Sequence, residues 1–224
     1  YKRQVLDRTF NYNPRRAKEL LRLFLEFHPD IRFHLEIHPA LLSEELKEEL
    51  SLLPKGLLHL EAGIQSLREP VLEKSRRMGK LSDALDGLRF LCALPNMETH
   101  ADLIAGLPLY HLHEIFEDVR TLAEYAAGEI QLESLKLLPG TEMRRRAEES
   151  GIKYSPLPPY EVLQTHEINV SELQTARQLS RLLDGFYNTP AWQALTRELI
   201  LNDEQFLHRF LTYLTKANLI DQPM

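Results

Sequence analysis

THADLIAGLP, residues 99–108, reads as a short strand running into a Gly-Leu-Pro turn. Ala101 and Leu103 alternate with His100 and Asp102, so one face of the strand is apolar and the other polar. A strand in a parallel sheet covered by helices is ordinarily apolar on both faces. The same half-polar alternation recurs along the chain. Residues 31–38 set Phe33, Leu35 and Ile37 against His34, Glu36 and His38. Residues 57–65 set Leu58, Leu60, Ala62 and Ile64 against His59, Glu61, Gly63 and Gln65, and residues 129–135 set Ile130 and Leu132 against Gln131 and Glu133.

Helical periodicity lies between these strands. A first strand is expected over residues 3–7. Asn13 then offers an N-cap before Pro14, and a helix runs to about residue 27. Ser43 caps a helix carrying Leu46, Leu50 and Leu53 on one face. Further helices are expected over 68–76, from Ser82 to about 94, over 112–127 with Gly128 as its stop, and over 140–150; the fifth strand spans 129–137. Strands alternating with helices build right-handed βαβ units. The expected fold class is α/β: a partial (β/α) TIM-like barrel of about five parallel strands over residues 1–157. An all-helical unit follows over 158–224, where nothing strand-like is expected after the prolines of SPLPPYE (155–161) and Trp192 and Tyr187 are assigned to the core.

A closed eight-stranded barrel fills its interior with branched apolar side chains. A face lined by His, Glu, Gln and Asp predicts instead a curved sheet around a wet cavity, with Asp102 pointing into a site. The alternative is that these polar groups only satisfy one another. Ligand sites in such folds gather at the carboxyl ends of strands. Here those ends read DRTFN (7–11), EIHP (36–39), GIQS (63–66), DLIAGLP (102–108) and KLLPGT (136–141).

Composition narrows the choices. The chain has 224 residues, 43% of them hydrophobic, and a formal net charge of −6, which argues against bulk attraction to nucleic acid or an anionic membrane. No apolar run is long enough to span a bilayer. The single cysteine, Cys92, excludes an internal disulfide and a cysteine-built zinc site; an intracellular, cytoplasmic location is the default. Cys92 is expected as a buried small hydrophobe. His111 and His113 are expected as helix-start polar residues, His34 and His38 lie too far apart along one strand to share an ion, and no metal site is assigned. No phosphate-cradling glycine array and no nucleophile elbow are present in the sequence.

HLEIHP, LEAGIQS, SRRMGK, HADLIAGLP and IQLESLKLLPGTEM, in this order, resemble barrel strands of the radical S-adenosylmethionine (SAM) superfamily. They are most similar to its cobalamin (B12)-binding branch, Fe-S oxidoreductases with an uncharacterised C-terminal helical domain, which PPYEVLQT and YNTPAW also resemble. The resemblance implies that Glu36 bonds the ribose or methionyl part of SAM, and that Gln65 and Asp102 take the ribose hydroxyls. It implies that Arg77, with Arg76 as a substitute, pairs with the methionyl carboxylate. Asp7 stands where other members place a Gly-Gly-Glu turn, and Glu61 is carried as a further cofactor-binding residue. The family's CxxxCxxC loop, which holds a [4Fe-4S] cluster, has no counterpart here, nor has its cobalamin domain. The expectation is therefore a fragment of a radical SAM enzyme, inactive alone, whose parent generates a 5′-deoxyadenosyl radical or transfers a methyl group on an unknown substrate. The cluster and cobalamin would be held by residues outside this chain. Two other readings stand beside it: a non-catalytic nucleoside- or partner-binding module, and a cluster-independent barrel enzyme using Glu61 or Glu133 as general base. An exposed first strand also leads us to expect a homodimer or a covering loop.

Overall fold

The structure, a computed structural model, describes residues 1–220 and Gln222. Each half-polar stretch is a strand. β1 (Lys2–Gln4), β2 (Arg32–Ile37), β3 (Leu58–Gln65), β4 (Glu98–Ala105) and β5 (Glu129–Ser134) form one sheet in chain order, the parallel sheet of a partial (β/α) barrel. Chain order is the winding of a barrel, whereas a doubly wound sheet reverses direction at a switch point. The register places Gln4 beside His34, His34 beside His59, and Glu36 beside Glu61. The helices are α1 (Pro14–Leu25), α2 (Glu44–Leu52), α3 (Glu69–Lys74), α4 (Leu81–Ala93), α5 (Leu112–Glu124), α6 (Glu142–Arg145), α7 (Val170–Leu182), α8 (Pro190–Asn202) and α9 (Phe206–Lys216). Among the described residues, none is long and apolar enough to cross a membrane.

The chain forms two compact units. One holds residues 1–64, 78–102 and 125–129; the other holds 65–77, 103–124 and the described residues from 130 onward. In the first unit the Asn13 side chain accepts from the Arg16 N–H and Pro14 opens α1. Phe24 of α1 stacks on Phe33 of β2 at 4.0 Å between centroids. Ser43 caps α2, which buries Leu46 and Leu50. Gly87 lets α4 close onto the single turn Pro39–Leu41 after β2, since a Cβ there would lie 2.2 Å from the Pro39 carbonyl oxygen.

In the second unit the Arg120 guanidinium donates to the carbonyls of Ile200 and Leu201, and Arg197 to that of Ala123, which ties α8 to α5. The Asn188 amide accepts from the Ile130 N–H and donates to the Ile130 carbonyl, as a neighbouring strand would.

Several expectations need correction. β1 ends at Gln4 because the chain turns: Val5 still donates to the His34 carbonyl, but Asp7 N–H then folds back to Val5. The fifth strand stops at Ser134, and α5 stops at Glu124. Gly128 does not end that helix. Exposed Ala126 takes the left-handed turn (φ +57), while Gly128 lies against Thr99, where a Cβ would sit 2.9 Å from the carbonyl oxygen. Residues 140–150 divide into α6 and a separate turn, Glu148–Ser150. A strand does follow the prolines: β7 (Val162–Gln164) pairs antiparallel with β6 (Lys153–Tyr154). Tyr187 is buried, but Trp192 is 51% exposed and is not core.

Candidate functional site

On the polar face of the first unit, His34 of β2, His59 of β3 and His100 of β4 converge. All three are buried, with ring centroids 4.8, 5.5 and 4.9 Å apart in pairs. His34 Nε2 lies 2.8 Å from Glu61 Oε2, and His34 Nδ1 lies 2.9 Å from His59 Nδ1, so one of those two rings donates to the other. His100 Nε2 is 3.6 Å from the same Glu61 oxygen and 3.9 Å from Asp102 Oδ1; its Nδ1 is 3.8 Å from Glu129 Oε2.

The charges follow from this packing. Burial opposes charge on His100, but the surrounding carboxylates of Glu129, Glu61 and Asp102 outweigh it and raise its pKa to about 9. Burial, then the charge on His100, pushes His59 down to about 4, so it is neutral. Hydrogen bonds from His100 and His34 hold Glu61 well below the usual carboxylate range, against its burial. Glu36, beside Glu61 in register and one level nearer the strand exit than the histidines, is shifted upward, first by burial and then by the Glu61 charge. Asp7 is held low by Arg16, 2.6 Å away, and by the Thr9 N–H.

The second unit fixes a different feature. Gln65, the last residue of β3, has φ +74, a left-handed backbone that a side chain with a Cβ seldom adopts. The residues after it are pinned to Asp118 of α5. The Leu67 N–H donates to the carboxylate at 2.8 Å, Arg68 Nε at 2.9 Å, the Tyr110 hydroxyl at 2.6 Å and the Ser66 hydroxyl at 3.4 Å. Asp118 is 1% exposed; burial raises its pKa while these donors oppose the rise. A left-handed residue held at a strand exit is the kind of local strain that a functional site retains.

Of the six residues singled out from sequence, Asp7, Glu36, Glu61 and Asp102 therefore share one electrostatic cluster in the first unit. Gln65 and Arg77 belong to the second unit. Arg77 is partly buried just after α3; Arg76 is exposed, pairs with Glu142 at 2.6 Å, and lines a cavity of about 290 Å³ with Lys74 and Arg146. Three contributors escaped the sequence reading: the meeting of the three histidines, Glu129, and Asp118. The first has a signal. HLE (34–36), HLE (59–61) and HAD (100–102) repeat His-x-acid on successive strands, which puts the histidines and the acids on one face in two successive levels. Asp118 is the one acid among the buried Ile115, Val119 and Leu122 of α5.

Cys92 is half-buried in α4, and burial pushes its thiol up to about 11. A [4Fe-4S] cluster needs several thiolates, so it does not fit the residues of this chain.

Comparison with solved structures finds relatives of the fold. The radical S-adenosylmethionine methyltransferase TsrM from Kitasatospora setae, with tryptophan substrate and a SAM analogue bound, matches with TM-score 0.55 and 18% identity, over 74% of this chain and 33% of TsrM. TsrM with cobalamin and a [4Fe-4S] cluster bound matches with TM-score 0.56 and 19% identity, over 76% of this chain and 36% of TsrM. The archaeal Methanocaldococcus infernus Elp3 with an N-terminal deletion matches with TM-score 0.56 and 13% identity, over 85% of this chain and 46% of that one. The chain shares its fold with these structures over most of its length. It spans less than half the length of these radical SAM and Elp3 chains. Residues 148–223 match the family described as a protein of unknown function, DUF4080. No curated protein matches the chain.

Proposed function

We propose that this chain is the SAM-binding barrel part of a radical SAM enzyme of the cobalamin-dependent kind, with the cluster cysteines and the cobalamin supplied by residues outside these 224. The observation that carries the reading is Gln65, turned left-handed at the exit of β3 and locked there by the Asp118 network. The carboxylates of Glu36 and Asp102 supply the matching chemistry. Ribose hydroxyls donate to carboxylates and side-chain amides, and a bound sulfonium would relieve the repulsion from Glu61 that raises the Glu36 pKa. The Arg77 guanidinium suits a carboxylate as a two-pronged donor. Beside a reduced cluster, SAM would supply a methyl group or radical chemistry, and the protein's part would be orientation and exclusion of water.

The same geometry weighs against a cluster-independent enzyme with Glu61 as general base, because His100 and His34 hold that carboxylate at low pKa and make it a weak base at neutral pH. The test is calorimetric titration of SAM into the longer, cluster-reconstituted protein. Asp102→Ala and Arg77→Ala should each weaken binding by about 10-fold or more, as expected for the loss of a charge-assisted hydrogen bond. Binding unchanged in both variants, or no binding at all, rejects this site and favours the partner-binding reading.

A further inference from the structure

We propose that His34, Glu61 and His100 form a site for one divalent transition-metal ion, with zinc the ion their donors suit best. His34 Nε2, Glu61 Oε2 and His100 Nε2 all lie within 4.8 Å of one another, with the glutamate oxygen 2.8 and 3.6 Å from the two nitrogens. Zinc binds such donors at about 2.0–2.2 Å, so its tetrahedral ligands stand roughly 3.3–3.5 Å apart. The spacing found here straddles that value, and small side-chain rotations close it. Three protein donors leave the fourth tetrahedral position to a water, the pattern of catalytic zinc sites.

The outer contacts of the two rings point the same way. A metal-bound imidazole usually donates its second N–H to a fixed acceptor, which sets tautomer and ring plane. His34 turns its other nitrogen to His59 Nδ1 at 2.9 Å, and His100 turns its other nitrogen to Glu129 at 3.8 Å. His59 accepts at Nδ1 in this arrangement, which leaves its proton on Nε2; that buried atom has no hydrogen-bond partner among the described residues. Two imidazoles and one carboxylate, without a thiolate, match zinc, iron(II) or cobalt(II) better than calcium or magnesium. The site belongs wholly to the first unit and does not depend on the SAM reading.

The experiment uses the chain stripped with a chelator, dialysed, and titrated with zinc alone and with cobalt(II) alone. One equivalent should bind, and cobalt should show the intense visible bands of a four-coordinate ion. Glu61→Gln and His34→Ala should weaken zinc binding at least tenfold. Glu129→Gln, which leaves the ligands in place, should weaken it about 10–100-fold, and Glu61→Gln decides between the two groups if His34→Ala fails to fold. His111→Ala/His113→Ala removes the exposed histidine pair, whose rings are 5.5 Å apart, and should leave binding intact. Three results overturn the proposal: no stoichiometric binding, binding indifferent to Glu61→Gln, or binding abolished by the His111/His113 double variant. Binding indifferent to His34→Ala but lost in His59→Ala would move the ion to His59, His100 and Glu129, which also lie within 4.8 Å of one another, and would likewise overturn this assignment.

Discussion

Two of the buried polar networks among the described residues are built on opposite plans. Around Asp118, one carboxylate receives donors from Leu67, Arg68, Tyr110 and Ser66, and charge is balanced by a single guanidinium. Around His100, several carboxylates crowd one imidazolium, and the neighbouring His59 keeps a buried nitrogen without a partner among the described residues. A fully satisfied network fixes one conformation. A network with surplus acceptors and an idle donor holds room for another cation. The first arrangement shapes the backbone at Gln65; the second offers ligands.

Removing the hub of the satisfied network should have the largest effect. Asp118→Ala takes the shared acceptor from the Leu67 N–H and the buried Tyr110 hydroxyl and one of two carboxylate partners from Arg68, which keeps Glu117; several lost hydrogen bonds to a charge, at about 1.5–3 kcal/mol each, should cost roughly 3–5 kcal/mol. Urea unfolding measures it, and a loss below about 1 kcal/mol would erase the contrast between the networks. Next comes zinc. A ligand of the folded state present at a hundred times its dissociation constant stabilises by about 2.7 kcal/mol, so the unfolding midpoint should rise with zinc in the natural sequence and stay fixed in Glu61→Gln. Smaller still is a matched pair of hydroxyl and ring changes. Tyr110→Phe should cost about 1–2 kcal/mol, because it removes a hydrogen bond to a buried charge. His59→Phe removes the unpartnered Nε2 together with Nδ1, the partner of His34, so it should cost only about 1 kcal/mol, the net worth of one neutral hydrogen bond. A large loss at His59 would mean that its ring is held by its neighbours as firmly as the Tyr110 hydroxyl is held by Asp118.

Acidity separates the networks as well. The folded pKa of His100 is raised from 6.5 to about 9, so the stability it contributes is complete below 6.5 and is lost as pH rises through 9. His59 is depressed from 6.5 to about 4, so its contribution is complete above 6.5 and is lost as pH falls toward 4. Glu61, also depressed, adds a loss as pH falls below 4.5. The cluster of the metal-free chain should therefore stabilise most near pH 6.5. Proton NMR of the imidazole rings checks this: a His59 signal that titrates near 6.5 would contradict the buried arrangement.

How much of this was written in the sequence depends on the distance over which each feature is encoded. Alternation within a strand is a property of adjacent residues, so the polar face of β2, β3 and β4 was legible, as were the Asn13 and Ser43 caps. Which histidine meets which is set by register between strands some 25 residues apart, His34 with His59, and no single strand carries that information. The β6–β7 pair was missed because strands of two and three residues among prolines show no period. The end of α5 was misplaced because Gly128 looked like a stop, whereas it is small to admit the Thr99 carbonyl. Asp118 was hidden in a helix whose other buried positions are apolar.

The two edges of the sheet give the subtlest contrast. At β5 the Asn188 amide occupies Ile130, but β1 is exposed along its whole length. Tyr1 and Val5 direct their hydrogen bonds to β2, through the Arg32 N–H and the His34 carbonyl. Successive residues of a strand point their backbone groups to opposite sides, so Lys2 and Gln4 offer theirs outward. Two copies could pair through these groups, yet Lys2 and Arg3 would then face their own kind, and charge on an edge is a common guard against such pairing. Self-association through β1 should therefore be weak and should strengthen with salt, as screening relieves the repulsion. Gln4→Pro deletes an outward N–H without touching a bond to β2, so it should abolish the association and leave the unfolding midpoint nearly unchanged. Sedimentation at low and high salt reads both effects. A dimer that weakens with salt, or that survives Gln4→Pro, must use another surface.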